Sequence, residues 1–179
     1  RQVAHRAAGT STSDTTSYGA ELETTFDVNS HVQLFANLGW LHNEVDSIAA
    51  FDLDLAQFVD KQDRDQAKSP AYQYNVGTRL ALSDQWSGRI EFEGRDDSYY
   101  GYYHDGKLDD YHLVNASAQW QSGAIAVTLW GRNLNDEDYA VHGLYFAADP
   151  RDDFGAWQNS TYLQLGEPRT YGVELRYSF

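Results

Sequence analysis

From Tyr171 to Phe179 the chain is apolar at every second position, with Gly172, Glu174, Arg176 and Ser178 between Tyr171, Val173, Leu175, Tyr177 and Phe179. A period of two places alternate side chains on opposite faces of a β-strand, so this segment has one greasy face and one polar face. The same pattern recurs upstream. Residues 17–27 set Tyr18, Ala20, Leu22, Thr24 and Phe26 against Gly19, Glu21, Glu23 and Thr25; residues 31–44 set Val32, Leu34, Ala36, Leu38 and Trp40 against Gln33, Phe35, Asn37 and Gly39. Residues 71–82 oppose Tyr72, Tyr74, Val76, Leu80 and Leu82 to Gln73, Asn75 and Arg79, and 86–100 oppose Trp86, Ile90 and Phe92 to Arg89, Glu91, Glu93 and Arg95. Residues 110–121 and 124–134 continue it, with Trp130 breaking the polarity of the second. Together with 169–179 this predicts seven strands, each long enough for the ~9–11 residues that a tilted strand needs to cross a bilayer.

Four ionised groups in a row on one strand face, Arg89 to Arg95, need water or each other, and a water-filled lumen supplies both. A soluble sandwich would instead bury the apolar rows against a second sheet. The connections help to choose. They are short near 27–30, 83–85 and 121–123 and long over 45–70, 101–109 and 135–168, the asymmetry expected of a membrane barrel with tight turns at one rim and loops at the other. Aromatic residues follow the rims, with Phe26, Trp86, Trp120 and Phe179 beside the short turns. Trp40, Tyr72, Tyr99, Tyr100, Tyr102 and Tyr103 lie towards the long loops, as rings that favour a water–lipid boundary should. Within 48–59 the spacing of Ile48, Phe51, Leu55 and Phe58 predicts a short amphipathic helix.

Composition fits this picture. The 179 residues have a mean hydropathy of -0.63 and 15% aromatics, and no run approaches the ~18 apolar residues of a membrane helix. A net charge of -14 repels nucleic acid, and the absence of cysteine removes disulfide scaffolds and thiolate metal sites. Seven is an odd number for a single-chain bacterial barrel, and an open barrel would leave two unpaired edges in lipid. The chain also opens on Arg1 without a signal peptide. Residues 1–179 are therefore expected to be the C-terminal part of a larger barrel domain.

Two patches point to a family. The closing Thr170-x-Gly172-x-x-Leu175-x-Tyr177 with its terminal Phe179 resembles the signal read by the machinery that inserts outer-membrane barrels, which makes Gly172, Leu175, Tyr177 and Phe179 the candidate assembly signal. Asn133-Leu134-Asn135-Asp136-Glu137-Asp138-Tyr139 resembles the N-L-F-D-K-x-Y stretch of TonB-dependent receptors, departing from it at Asn135 and Glu137, and Gly166-Glu167-Pro168-Arg169-Thr170-Tyr171-Gly172 is similar to their closing G-x-P-R-x-Y/F-G. The alternating pattern covers the whole chain, while the specific motifs cover about 131–179. The resemblance implies an all-β, antiparallel up-and-down transmembrane β-barrel of 22 strands in the outer membrane of a Gram-negative bacterium, of which this chain supplies about seven. It further implies a plug domain and a TonB-binding segment, both outside this chain, and uptake of a scarce nutrient such as an iron–siderophore. The partners would be outer-membrane lipid and lipopolysaccharide, the remaining barrel and plug, TonB through the N-terminal part, and the barrel-insertion machinery.

The expected lumen- or plug-facing residues are Glu21, Glu23, Arg79, Arg89, Glu91, Glu93, Arg95, Arg132, Glu174 and Arg176. Tyr100, Tyr102, Tyr103 and His104, in the densest aromatic cluster, are candidate ligand contacts together with Trp157; strand-end girdle residues are the alternative account of the tyrosines. Residues 46–70 carry six Asp against Lys61, Arg64 and Lys68, and 135–167 carry seven carboxylates against Arg151. Clustered carboxylates suit a divalent cation or a solvated loop facing lipopolysaccharide. No spacing resembles an EF-hand, the six His are scattered, and no metal or cofactor is expected. Nor is there a nucleophile elbow, a phosphate loop or a Ser/His/Asp order, so catalysis is not expected. A porin, a barrel enzyme and a secreted carbohydrate-binding β-sandwich are the alternatives.

Overall fold

A computed structural model describes residues 13–52, 54–102, 104–146 and 159–179, and among them every regular element is a β-strand. The main sheet contains β1 (Thr15–Asn29), β2 (Val32–Asp52), β3 (Gln57–Asp65), β4 (Tyr72–Ala81) and β5 (Trp86–Arg95), then β8 (Tyr111–Ser122), β9 (Ile125–Arg132) and β12 (Thr170–Tyr177). Two small hairpins complete the fold, β6 (Ser98–Tyr99) with β7 (Lys107–Leu108) and β10 (Ala140–Phe146) with β11 (Ser160–Leu165). The main order is β1-β2-β4-β5-β8-β9-β12, antiparallel throughout, with β3 paired to the far half of β2. These seven path strands are the seven that alternation predicts. β1 and β12 stand at the two ends of the order, so the sheet is one arc of a barrel and not a closed one.

The register keeps the rows on one face. Leu22 lies opposite Leu38, Leu38 opposite Tyr74, Val76 opposite Phe92, Ile90 opposite Ala116, Ala118 opposite Leu129, and Leu129 opposite Val173. A shift of one residue in any pair would have broken this continuous apolar surface. Among the described residues nothing packs on it: Leu22, Phe26, Leu129 and Leu175 are all more than half exposed. The buried apolar residues among those described are Phe35, Val45, Ala50, Tyr100, Leu108 and Leu113, too few and too scattered for a soluble core. The sandwich alternative fails here, because among the described residues no second sheet covers the oily rows. The run from Tyr171 along β12 and on to Phe179, two residues past its end, is eight extended steps of ~3.4 Å, or ~27 Å. With a tilt of ~40° that spans ~20 Å, close to the ~25 Å apolar band of a barrel.

Both aromatic rims form as cross-strand pairs, Trp86 opposite Trp120 at the short-turn end and Trp40 opposite Tyr72 at the other. Tyr18 meets Trp40 edge-on, ring centroids 5.7 Å apart. Tyr99 and Tyr100 do not join the rim. After Arg95 the chain leaves the main sheet to pair β6 with β7, and Tyr100 ends 6% exposed inside the outer loops.

The turns explain themselves locally. Asn29 Oδ1 accepts the His31 and Val32 N–H groups, Ser83 Oγ accepts those of Gln85 and Trp86, and Gly123 takes a φ of 55° that favours glycine. The predicted helix over 48–59 is instead a hairpin. β2 continues to Asp52, whose Oδ1 accepts the Asp54 and Leu55 N–H groups, and β3 returns from Gln57. Phe51 then faces Phe58 directly, with the rings edge-on at 5.4 Å. A separation of seven residues matches two helical turns, but it also matches two partners across a tight turn, and pairing against β2 decides for the hairpin.

Candidate functional site

All ten expected lumen residues lie on the polar face of the main sheet or at its loop-side end. Most are held by near neighbours: Arg89 Nε donates to Glu91 at 2.9 Å, Asn115 Nδ2 donates to Glu93 at 2.8 Å, and Arg176 pairs with Glu174 at 3.0 Å. Arg132 sits 3.7 Å from Glu167, and the Arg95 guanidinium lies 5.1 Å from the Tyr111 ring centroid. Glu21 and Glu23 face Gly39 and Asn37 across β2. Gln33, Phe35 and Asn115, which alternation also puts on this face, were not among the ten, yet they share it with Arg79, Glu91 and Glu93. Trp130, which breaks the alternation, belongs to the polar face opposite Gly172. A Cβ on Gly172 would lie 2.6 Å from the Trp130 ring, so this glycine of the assembly signal also makes room for an indole.

Where β9 ends, the motif 133–139 ties three chain segments together. Asn133 is 1% exposed and takes a φ of 50°, a left-handed conformation that Asn tolerates better than most residues. Its Oδ1 accepts the Glu137 N–H at 2.8 Å, while its Nδ2 donates to the Glu137 carbonyl at 2.9 Å and the Glu167 carbonyl at 3.1 Å. Asn115 Oδ1 accepts the Asn133 N–H at 2.9 Å. Asn135, which stands where the family has an aromatic, extends the β8 edge instead by accepting the Val114 N–H and donating to the His112 carbonyl. Tyr139 stacks near Tyr111 at 4.4 Å and covers Gly166; burial pushes its phenol above the usual value. Arg169 closes the knot on Asp136 at 3.0 Å.

The third cluster joins the outer loops. Arg64 of β3, buried and unmarked by sequence reasoning, donates from Nη1 to Asp105 at 2.6 Å and from Nη2 to the carbonyls of Gly101 (2.9 Å) and His104 (2.7 Å), with its guanidinium 3.8 Å from the Tyr99 centroid. Lys61 donates to the same carboxylate at 2.6 Å. Hydrogen bonding from Lys61, aided by the charge of Lys61 and Arg64, holds Asp105 below the ordinary carboxylate range. Two of the three cations of the 46–70 loop are thus used within the protein. His104 Nδ1 accepts the Gly106 N–H at 2.8 Å, and its ring stacks on Tyr145 at 3.8 Å. Tyr100 lies beneath, its hydroxyl 2.9 Å from the same Nδ1 and 3.2 Å from Thr161 Oγ1, against Gly143. Asp54 at the β2–β3 tip accepts from Tyr145 Oη at 2.7 Å and from Asn159 Nδ2 at 3.0 Å; Asn159 first and then Tyr145 lower its pKa. Tyr102 is half-buried nearby, whereas Tyr103 and Trp157 lie outside the described residues. Among the described residues no three His, Asp or Glu converge to hold a metal ion.

An antiparallel arc with an uncovered apolar face, paired aromatic rims and a charged reverse face is the wall of a transmembrane β-barrel. Residues 5–134 match the family model described as "TonB dependent receptor-like, beta-barrel", and the chain belongs to that family. No curated protein matches it. Solved structures that share the fold include three receptors. The ferric yersiniabactin uptake receptor FyuA from Yersinia pestis has a TM-score of 0.71 at 16% identity, over 93% of this chain and 24% of its own. The siderophore receptor PiuA from Acinetobacter baumannii has 0.68 at 14% identity, over 91% and 22%. The ferric-catecholate import receptor Fiu from E. coli K12 has 0.65 at 14%, over 93% and 21%. The chain therefore spans between a fifth and a quarter of the length of these receptors.

Proposed function

We propose that this chain forms wall and outer loops of an outer-membrane receptor that captures a ferric siderophore outside a Gram-negative cell and passes it inward with energy delivered through TonB. The observation that supports this most is the family match over 5–134, joined by three structural neighbours that are all named as receptors for siderophores or ferric complexes. In this reading residues 1–179 are the C-terminal part of a 22-stranded barrel domain, with the plug and the TonB-binding segment in other parts of the protein. The apolar face meets lipid, and the acidic loops meet lipopolysaccharide.

The polar face lines the lumen, where the Glu21 to Arg176 set meets plug and water. No bond chemistry is required, since transport needs capture, displacement of the plug and release. Tyr102, Tyr103, His104 and Trp157 are the proposed ligand-facing residues, with Tyr100 seating His104 from beneath. The open β12 edge, ending on Leu175, Tyr177 and Phe179, suits recognition by the insertion machinery, because an unpaired strand edge templates another strand.

Iron-starved cells that express the full receptor and lack other ferric receptors test the reading. They should accumulate labelled iron from at least one of a panel of catecholate, hydroxamate and phenolate siderophores, and a protonophore should abolish the accumulation. Absence of accumulation from every chelate, with the receptor present at the cell surface, overturns it.

A further inference from the structure

Arg79 and Arg89 lie directly opposite each other on β4 and β5. Like charges in that relation repel and weaken a sheet. Among the described residues one carboxylate answers them: Glu91 pairs with Arg89, while Arg79 donates to the neutral Gln33 Oε1 at 2.6 Å. Asp27, which lines the same depression, accepts from Gln33 Nε2 at 2.7 Å instead. Among the described residues no carboxylate is within ion-pair distance of Arg79. Both guanidiniums rest on Phe35, 4.7 and 4.5 Å from its centroid, and Phe35 is 5% exposed because Gly77 beside it leaves room for the ring. The two forks are therefore held in place with a donor surplus facing the polar side. Ser87, Ser117, Gln119 and Thr128 line the same depression and add uncharged hydrogen-bonding groups.

We propose that Arg79 and Arg89 form a cradle for one carboxylate side chain of the plug domain. The inference rests on the lumen reading of the polar face given above. A planar carboxylate is the anion that two guanidinium forks bind best. Position selects the plug over the transported ligand, since Arg79 is two residues from the end of β4 at the short-turn rim, opposite the loops that would capture ligand. Seating an anion there removes the Arg–Arg repulsion and secures the plug at the inner end of the barrel.

The test uses the full receptor with a benzophenone side chain at Ser117. It should cross-link to a plug segment bearing Asp or Glu, and the yield should fall about tenfold or more in the Arg79→Glu/Arg89→Glu double variant. Replacing the captured carboxylate by Lys should restore the yield. If that variant fails to insert, judged by heat-shifted gel migration, Arg79→Gln/Arg89→Gln is read by the same criterion with a smaller drop. Cross-linking to a segment without a carboxylate, a yield indifferent to both variants, or capture of no plug residue overturns the proposal, the last leaving at most a site for a free anion. Cross-linking of Ser117 to lipid instead overturns the lumen reading itself.

Discussion

Asn133 offers the sharpest single perturbation. Replacement by Gly keeps the left-handed backbone available but removes three side-chain hydrogen bonds, those to the Glu137 N–H, the Glu137 carbonyl and the Glu167 carbonyl. The site is 1% exposed, so water does not replace them. At about 1 kcal/mol each the loss is about 3 kcal/mol. Replacement by Ala loses the same bonds and also the local side-chain bonding that lets Asn adopt a φ of 50°, which adds about 1 kcal/mol. Because about 1.4 kcal/mol is a tenfold change in an equilibrium, opening of the 133–139 turn should rise about 10²-fold in Asn133→Gly and nearer 10³-fold in Asn133→Ala. Hydrogen exchange at the Glu137 amide of the receptor in lipid measures this, since exchange there reports local opening. Protection within about threefold of wild type in both variants, or Gly weaker than Ala, would refute the assignment of Asn133 as the tie between β9 and the closing segment.

Other consequences follow from the loops and the sheet. Arg64→Met removes two carbonyl contacts and an ion pair while leaving Lys61 on Asp105, so exchange over residues 100–106 should accelerate by about 10²-fold with barrel insertion retained; unchanged protection would contradict the clamp. Asp105 and Asp54 both titrate below the ordinary carboxylate value near ~3.9, so their loop contacts hold fully above that value and are lost as pH falls through the lower folded values. The mobility of a spin label at the β2–β3 tip, read from its line shape, should accordingly stay flat from about pH 8 to 5 and rise only below about pH 4, and a rise centred near neutrality would be inconsistent with that. Gly77→Ala puts a Cβ 2.7 Å from Phe35 Cζ and closer still to the Ile90 carbonyl oxygen, which should lower resistance to thermal unfolding by about 1–3 kcal/mol; an unchanged thermal midpoint would argue against the tight Gly77–Phe35 seat.

The membrane-facing half of the molecule was legible because a period of two, kept over seven strands, has one reading in register. Once Leu38 is opposite Leu22, every other apolar residue must fall on the same side. The outer half was hidden because its pairings are local accidents of long-range partners. Phe51 and Phe58 look helical until β2 is known to continue. Tyr100 looks like a rim residue until Gly143 and Thr161, some forty and sixty positions onward, are seen to enclose it. Arg64 was one cation in an acidic loop, and its partners lie about forty residues away. Asn133 was marked by motif resemblance, whereas its burial and its bonds came only with the fold.

The lipid exposure of the apolar face is tested most directly by spin labels placed singly at Asn37, Leu38, Ile90, Glu91, Glu174 and Leu175 of the receptor in bilayers. Labels at Leu38, Ile90 and Leu175 should collide with dissolved oxygen and be shielded from a water-soluble nickel chelate, and the three alternate positions should show the reverse. Chelate access at the Leu38, Ile90 and Leu175 positions, with oxygen favoured at Asn37, Glu91 and Glu174, would contradict the membrane orientation of the whole sheet.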